Sequence, residues 1–378
     1  MSSRVAKIRD YFASNLDRFL STLQRLVEME TPSRDKERLD RFGEHFAELL
    51  RRFSHRFSMV AGDVGPRIRA ERGEGGKTIL VLGHMDTVWP VEGGSKPQVR
   101  RDGDRFYGPG VFDMKSGLCL MLFAFEAIGE LGIELDRRLV FLCTPDEEIG
   151  SRASREAIER EAGHAAAVLV PEPPLEGGML KTRRKGVGSV QLEVRGKESH
   201  AGIAPEKGVN AIHELALQIG RLVEMNDPER GITVNVDIVS GGTKENVVAG
   251  RASACIDFRA MTVEDALEVE KKIHSLRPVL EGAELSISGG FERPPMEETP
   301  ESGVIAALAQ GIAAELGFKL KTGLSGGGSD GSFTAALGIP TIDGLGLDGD
   351  GAHALHEHVL VSRIPDRGAL LTELMLRI

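Results

Sequence analysis

The chain has 378 residues, of which 41% are apolar and 28% are charged, and its formal net charge is −10. A chain of this length exceeds one ordinary hydrophobic core, so two domains are expected. The negative charge and the lack of a basic cluster argue against a nucleic-acid partner. No apolar run approaches the ~20 residues of a membrane-spanning helix, so no membrane partner is expected either.

The N-terminal residues and the cysteines predict a cytoplasmic protein. Met1 is followed by polar and charged residues rather than by the apolar core of a secretion signal. Cys119, Cys143 and Cys255 lie in apolar segments without the spacing of a metal site, which predicts buried, free thiols. Free thiols suit a reducing compartment.

Up to about residue 178, the pattern alternates between helices and buried strands. Apolar residues at helical spacing predict one amphipathic helix over 5–28, a second ending near 53, and others over 116–131 and 151–162. Short apolar runs predict strands at 56–60, 67–70, 78–82, 139–143 and 167–170. The last three strands are apolar throughout, which is typical of parallel strands buried on both faces. The alternation predicts an α/β sheet with helices on both faces.

A different order of elements follows residue 178. Strands are predicted at 187–194, 232–239, 253–259 and 285–288, and helices at 208–225 and 262–280. Strand-helix-strand-strand-helix-strand is the ferredoxin-like order. The chain then resumes with a helix near 304–316, a strand at 340–342 and a closing helix from Pro365. We therefore predict a first domain made of 1–178 and 291–378, with 179–290 inserted into it.

Side chains that bind metals follow three of the predicted buried strands. His84, Glu147, Glu148 and Glu172 all come directly after such a strand, and ligands of open α/β sheets bind at the carboxyl ends of the strands. Asp86 lies two residues after His84, on the same side of an extended chain. It is predicted to contact the far ring nitrogen of His84, leaving the other nitrogen for a metal. A surface or packing role for this pair is the alternative.

Two further candidates are ambiguous by themselves. Asp113 lies in a glycine-bounded loop, where an aspartate is most often a turn or cap residue. His353, His356 and His358 fall within six residues, and most clustered histidines are not ligands.

Several segments together resemble the co-catalytic zinc hydrolases that include glutamate carboxypeptidase, acetylornithine deacetylase, succinyl-diaminopimelate desuccinylase and aminoacylase. The landmarks appear in the family's order and span nearly the whole chain. They are Gly-His-Met-Asp-Thr-Val at 83–88, Gly-Pro-Gly-Val-Phe-Asp-Met-Lys-Ser-Gly at 108–117, Pro-Asp-Glu-Glu-Ile-Gly at 145–150, Glu-Pro at 172–173, Ser-His-Ala-Gly at 199–202, Arg-Pro-Pro-Met at 293–296, Gly-Gly-Gly-Ser-Asp-Gly at 326–331, and Gly-Ala-His at 351–353 with Glu357. The glycine-rich loop and the His353 region are most similar to glutamate carboxypeptidase.

The resemblance implies a fold and a metal centre. The fold is a zinc-peptidase catalytic domain, a mixed sheet with helices on both faces, carrying an inserted ferredoxin-like α+β dimerisation domain. Asp113 would bridge two zinc ions per subunit, and its peptide bond to the next residue would be cis. His84 and Glu172 would complete one site, and Glu148 and His353 the other. Two alternatives stay open. The metal could be Co²⁺ or Mn²⁺ in place of Zn²⁺, and the histidine ligand could be His356 in place of His353.

The resemblance also implies roles in catalysis. Glu147 would be the general base that takes a proton from a metal-activated water. Asp86, which orients His84, is counted among the catalytic residues as well. His200, from the inserted domain of a homodimer partner, would polarise the substrate carbonyl. Arg293 and Asn246 are expected to hold the substrate carboxylate. The loop that contains Gly328 and Ser329 is expected to bind an anion through its backbone N–H groups. For Asp330 we predict a helix-capping role instead.

The predicted activity is hydrolysis of an amide bond in a peptide or N-acyl amino acid with a free carboxylate. Glu172, where dipeptidase and tripeptidase branches of the family tend to carry aspartate, favours a carboxypeptidase or a deacylase. A small-molecule deacylase such as acetylornithine deacetylase or succinyl-diaminopimelate desuccinylase is the alternative, and a catalytically silent metal-binding homologue a remote one. The partners expected are a small-molecule or short-peptide substrate and a second copy of the chain. No motif specifies the side chain of the substrate.

Overall fold

The computed structural model describes residues 3–92 and 94–378. The chain divides into two compact units. The first unit consists of Met1–Arg183, Glu298–Ser325 and Ser329–Ile378, and the second of Arg184–Glu297 and Gly326–Gly328. Within the part of the chain that the structure describes, no helix combines the length and apolar character needed to cross a membrane.

The helices and strands are numbered in chain order. The helices are α1 Ser3–Ser14, α2 Leu16–Glu28, α3 Lys36–Arg51, α4 Ser116–Glu130, α5 Arg155–Ala162, α6 Ala211–Val223, α7 Val263–His274, α8 Pro300–Glu315, α9 Gly331–Ala336 and α10 Ile364–Arg377. The strands are β1 Arg56–Val60, β2 Arg67–Arg72, β3 Thr78–His84, β4 Arg100–Asp102, β5 Arg105–Tyr107, β6 Arg138–Thr144, β7 Ala167–Val170, β8 Leu180–Arg184, β9 Gly186–Arg195, β10 Thr233–Gly241, β11 Arg251–Ala260, β12 Glu284–Arg293, β13 Thr322–Ser325, β14 Thr341–Asp343, β15 Gly349–Asp350 and β16 His358–Leu360.

The first unit is built on an eight-stranded mixed sheet in the order β1-β2-β6-β3-β7-β14-β8-β13. Strands β6, β3, β7 and β14 are parallel, and antiparallel neighbours flank them. Along β3, Ile79 and Val81 enter the large core formed with α1–α4, α8 and α10, whereas Leu80 and Leu82 enter a smaller core with α5 and α9. Burial on both faces explains the uninterrupted apolar run, and the predicted mixed sheet with helices on both faces is confirmed.

The predicted single helix over 5–28 is wrong, because the chain forms two helices that break at Asn15. Asn15 has φ −103° and ψ 17°, and its side-chain amide donates to the Tyr11 carbonyl at 2.9 Å. An asparagine side chain competes for backbone hydrogen bonds in this way and so disfavours a helix interior. Phe12 and Phe19, on either side of the break, enter the same core, so the apolar periodicity conceals the break.

The second unit has the predicted ferredoxin-like order. Its four antiparallel strands lie in the order β10-β11-β9-β12. Alternate residues such as Leu192, Ile256 and Phe258 pack against α6 and α7 in one core. Strand β10 is an edge strand of this sheet, and Ile238 and Val239 on it are 62% and 55% exposed.

Some features were not predicted. A small sheet, β15-β16-β5-β4, is built from strands of two or three residues, too short for a periodic signal. The three cysteines are free, but Cys255 is only partly buried, and its thiol donates to Gln191 at 2.9 Å. His358 is buried beside the ring of Tyr107.

Candidate metal centre

The first unit brings five side chains together in two groups that share one aspartate. His84, Asp113 and Glu172 form one group, and Asp113, Glu148 and His353 the other; within each, the ligand atoms lie within 4.8 Å of one another. His84 ends β3, Glu148 follows β6, and Glu172 follows β7. The parallel strands therefore deliver ligands to one edge of the sheet, as expected for an open α/β sheet.

The two oxygens of Asp113 face different histidines. Oδ1 lies 3.4 Å from Nε2 of His84, and Oδ2 lies 3.5 Å from Nε2 of His353. The outer carboxylates complete each group, since Glu172 lies 3.2 Å from His84 and Glu148 lies 3.2 Å from His353. This is the arrangement of a carboxylate that bridges two cations.

Three atoms of this cluster fit a metal because nothing else satisfies them. Nε2 of His84, Oδ1 of Asp113 and Oε1 of Glu148 are buried and have no hydrogen-bond partner among the residues that the structure describes. An unsatisfied buried polar atom costs about 1–3 kcal/mol. Imidazole nitrogen and carboxylate oxygen are ordinary ligands of zinc and similar divalent ions. The donor set therefore fits a dinuclear metal site.

The electrostatics of the cluster agree with this fit. Burial, together with the nearby charge of Asp113, raises the pKa of Glu148 to about 8 and that of Glu172 to about 7. Hydrogen bonds to Asp113 and Glu148 raise the pKa of His353 to about 11. Burial disfavours ionised Asp113, but His353 and His84 lower the pKa of Asp113 overall. The cluster thus shares protons that a bound cation would displace.

Asp86 lies against the far ring nitrogen of His84, as predicted, and also supports the neighbouring loop. The Nδ1 atom of His84 lies 3.0 Å from the main-chain oxygen of Asp86 and 3.4 Å from its carboxylate. That carboxylate also accepts the main-chain N–H groups of Glu147 at 3.0 Å and Glu148 at 3.2 Å, and the hydroxyl of Ser33 at 2.8 Å. The fully buried Asp86 therefore connects His84 to the loop that carries both glutamates.

The adjacent glutamates point in different directions. Glu148 contacts His353 at 3.2 Å, while Oε2 of Glu147 lies 4.0 Å from Nε2 of His84. Glu147 is therefore beside the cluster without belonging to either ligand group. This position suits a proton acceptor for a molecule bound at the cluster.

The C-terminal histidines have different surroundings. His353 has a left-handed backbone, φ 61°, which is uncommon for a residue with a side chain. Its side chain is half exposed and contacts Asp113 and Glu148. His356 faces Asp350 at 3.7 Å on the surface instead. The geometry favours His353 over His356 as the ligand.

The predicted capping role of Asp330 is wrong. Asp330 precedes α9 but makes no capping hydrogen bond with its side chain. Its buried carboxylate accepts the hydroxyls of Thr144, at 3.1 Å, and Ser151. Thr144 and Ser151 flank the loop that carries Glu147 and Glu148, so Asp330 is hydrogen-bonded to both ends of that loop. The glycine-rich motif identified Asp330 but could not identify partners so distant in sequence.

Glu357 is the functional candidate that sequence reasoning left without a role. The family landmark included it, but no chemistry was assigned to it. It is fully buried and accepts the main-chain N–H of Asp113 at 3.1 Å and those of Gly110 and Phe112. The Asp113–Met114 peptide in this loop is cis, as the resemblance implies.

The predicted substrate-binding residues are distributed over both units. In the first, the buried hydroxyl of Ser329 donates to Asp343 at 2.6 Å. In the second, Gly328 lies against the side-chain stem of Arg293, because a Cβ on the glycine would lie 3.1 Å from Cδ of the arginine. Because the Ser329 hydroxyl is already hydrogen-bonded to Asp343, the main-chain N–H groups of its loop are the better candidates for binding an anion.

His200 and Asn246 are neighbours in the second unit. The main-chain N–H of Ala201 donates to the Asn246 carbonyl at 2.9 Å. Both side chains are exposed. Nδ1 of His200 accepts the N–H groups of Gly202 and Ile203, each at 3.2 Å. A ring nitrogen that accepts cannot carry the proton, so neutral His200 presents Nε2–H as a donor.

Comparison with known proteins finds similar chains that cover most of this one. The profile of peptidase family M20/M25/M40 matches residues 80–377. Carboxypeptidase G2 of Pseudomonas sp. (strain RS-16) is 33% identical over 360 residues, which cover 92% of this chain and 86% of that protein. Succinyl-diaminopimelate desuccinylase of Paracidovorax citrulli is 29% identical over 316 residues, 79% of this chain and 80% of that protein.

Solved structures share the fold. Aminopeptidase PepT of Bacillus cereus superposes with a TM-score of 0.78 at 22% identity, covering 96% of this chain and 98% of that one. The metallo-carboxypeptidase Sso-CP2 of Sulfolobus solfataricus gives a TM-score of 0.75 at 20% identity, with 95% and 98% covered.

Proposed function

Because the chain belongs to peptidase family M20/M25/M40 and is a metal-dependent hydrolase, we propose that it hydrolyses an amide bond in a peptide or N-acyl amino acid bearing a free carboxylate, with two zinc ions. The observation that carries this proposal is the pair of ligand groups that share Asp113. A substrate amide needs both a polarised carbonyl and an activated water, and two adjacent cations can serve both needs.

The proposed ligands of the zinc ions are the five clustered side chains. His84 and Glu172 would hold one ion and Glu148 and His353 the other, with Asp113 shared between them. Bound zinc supplies Lewis acidity, which lowers the pKa of water and polarises a carbonyl oxygen.

Glu147 is the proposed general base. It accepts a proton from the attacking water and delivers it to the leaving nitrogen, because it stands beside the cluster without belonging to either ligand group. Asp86 orients Glu147 by accepting its main-chain N–H at 3.0 Å.

His200 is the proposed donor to the scissile carbonyl. Its Nδ1 is already occupied by two main-chain N–H groups, which leaves Nε2–H on an exposed ring. A neutral donor aimed at a developing oxyanion is worth about 10²–10³ in rate. Asn246, Arg293 and the Gly328–Ser329 backbone are the proposed contacts of the substrate carboxylate, which an arginine fork suits well.

We propose that the chain acts as a homodimer through the second unit. Strand β10 is an edge strand with two exposed large apolar residues, Ile238 and Val239. An edge strand of this kind is a template for pairing with another chain. A second copy is the partner that the family resemblance implies.

A substrate panel tests the activity. It contains folate-type and other N-acyl glutamates, succinyl-diaminopimelate, acetylornithine and dipeptides, each offered with and without zinc. We expect zinc-dependent release of the C-terminal residue from N-acyl glutamates, in line with the similarity to carboxypeptidase G2. Preferred cleavage of succinyl-diaminopimelate would support the second candidate, a deacylase, which the desuccinylase relatives favour. A metal-loaded protein that cleaves none of them would contradict both.

A further inference from the structure

The candidate metal centre has a second layer built around one buried carboxylate, that of Glu357. Glu357 is fully buried, and each of its oxygens accepts two N–H groups. Oε1 accepts from Phe112 at 2.9 Å and Asp113 at 3.1 Å. Oε2 accepts from Gly110 at 3.0 Å and from the indole of Trp89 at 2.6 Å.

These four donors come from segments that also carry the candidate ligands. Asp113 is itself one of the donors, Trp89 lies five residues after His84, and Glu357 lies four residues after His353. The loop from His353 to Glu357 is closed by the N–H of Glu357, which donates to Ala354 at 2.9 Å. One carboxylate therefore joins the segments of three of the five candidate ligands.

The loop leaves little freedom for this carboxylate to move. Gly351 has φ 83°, and a Cβ there would lie 2.9 Å from Cα of Glu357. Trp89 is 8% exposed and is the chain's single tryptophan. Because the Glu357 carboxylate is enclosed and each of its oxygens accepts two N–H groups, it holds those donors at fixed positions.

We propose that Glu357 and Trp89 are positioning residues for the metal centre, and that the Trp89 indole senses its occupancy. This inference rests on the proposed function. Glu357 fixes the Asp113 loop relative to the His353 loop, so that the two ligand groups form together. Because the indole is hydrogen-bonded to the same carboxylate that holds Asp113, binding at Asp113 changes the surroundings of the only tryptophan. Neither residue touches the reacting atoms.

The Glu357→Gln variant is the sharpest disruption, because it keeps size and shape. Each carboxylate oxygen accepts two N–H groups. The NH₂ group of the glutamine would therefore face two N–H donors, whichever of the two oxygens it replaced. We expect zinc affinity to fall about 10–100-fold, the usual effect of losing an outer partner of a metal ligand. Trp89→Phe removes one donor only, so we expect a smaller loss.

The double variant supplies a test of the geometry. With the amide nitrogen in place of Oε2, Trp89→Phe removes one of the two conflicts that Glu357→Gln creates. If the two substitutions acted independently, their fold-losses of zinc affinity would multiply. We therefore expect the double variant to lose less zinc affinity than that product.

Glu214 provides the matched control in the second unit. It is also fully buried and accepts the main-chain N–H groups of Val279 and Leu280. Glu214→Gln should lower thermal stability as Glu357→Gln does, but leave zinc affinity unchanged. A role for Glu357 that is only structural would make the two variants alike.

The experiment uses the full chain, stripped of metal, with zinc affinity measured by competition with a chromophoric chelator and Trp89 emission recorded during the titration. We expect the wild-type emission to change until zinc saturates, and the change to shrink in Glu357→Gln even at saturation. Wild-type zinc affinity in Glu357→Gln, or emission that is constant while zinc binds, overturns the inference and leaves the proposed function standing. A wild-type chain that takes up no zinc overturns both.

Discussion

The two units differ in where they place their candidate functional side chains. In the second unit, the buried carboxylate of Glu214 is satisfied by main-chain N–H groups and by Gln218, while the predicted functional side chains His200 and Asn246 are exposed. In the first unit, buried ligand atoms of His84 and Asp113 have no hydrogen-bond partner among residues 3–92 and 94–378. The candidate ligands of the first unit are therefore buried with unsatisfied atoms that a cation would satisfy, whereas the predicted functional side chains of the second unit lie at the surface.

This difference separates two kinds of mutation. Changes at the cluster should alter metal binding or proton transfer, and changes in the second unit should alter catalysis or assembly without changing metal content. Each side of this separation can be tested by kinetics, metal analysis, sedimentation or thermal melts.

The largest effect is expected from Glu147→Gln. The variant keeps the shape of the side chain but removes the proton acceptor, so kcat should fall about 10²–10⁴-fold. Because Glu147 belongs to neither ligand group, zinc content should be unchanged. Glu148→Gln is the matched neighbour, and it should lose zinc as well as activity. Steady-state kinetics with metal analysis checks both, and full activity in Glu147→Gln would remove the assigned base.

His200→Ala should lower kcat about 10²–10³-fold by removing one donor to the developing oxyanion, with zinc content intact. If His200 acts in the partner's active site, mixing His200→Ala with Glu147→Gln protomers should restore part of the activity, since one site of each mixed dimer has both residues. Kinetics after subunit exchange measures this. Mixtures that are no more active than their components would argue against action in the partner.

Ile238→Lys tests the proposed pairing edge. A lysine on an edge strand opposes pairing with another strand, and Ile238 is 62% exposed, so the folded chain should lose no more than about 0.5 kcal/mol. Sedimentation should show a monomer with unchanged secondary structure. Leu217→Lys is the comparison variant, because Leu217 is also an exposed apolar residue, at 43%, but lies on α6 instead of β10. A dimer that survives in Ile238→Lys would exclude this edge.

The smallest effect concerns pH. Burial raises the pKa of Glu148 from its ordinary 4.5 to about 8 and that of Glu172 to about 7. The folded chain thus holds protons that the unfolded chain releases, so the metal-free protein should lose stability as pH rises from 5 to 7. Zinc replaces those protons, and the stabilisation by zinc should increase over the same range. Thermal melts with and without zinc measure both trends, and a metal-free protein that gains stability toward pH 7 would contradict them.

The sequence predicted those parts of the structure that local pattern determines. The run from Ile79 to Leu82 in β3 is apolar because it lies between two cores, and His84 ends the strand at the edge where the parallel strands end. Both facts are visible along the chain itself. The ferredoxin-like order of the second unit was equally predictable, because it follows from the order of strands and helices along the chain.

Other features depend on partners far apart in sequence. Asn15 breaks a helix whose apolar stripe continues. Asp330 lies at a helix start but binds Thr144 and Ser151, which belong to another segment. Glu357 serves donors some 245 residues away. A side chain's type shows what it can bind, but only the folded chain selects its partner.

The two ligand groups share Asp113, and we propose that this carboxylate bridges two cations. The most direct measurement is the number of zinc ions bound per chain, by mass spectrometry of metals after stripping and reloading, in the wild type and in Asp113→Asn. We predict two zinc ions in the wild type and one or none in the variant. A wild-type chain that saturates at fewer than two, or an Asp113→Asn variant that keeps both, would contradict the shared site.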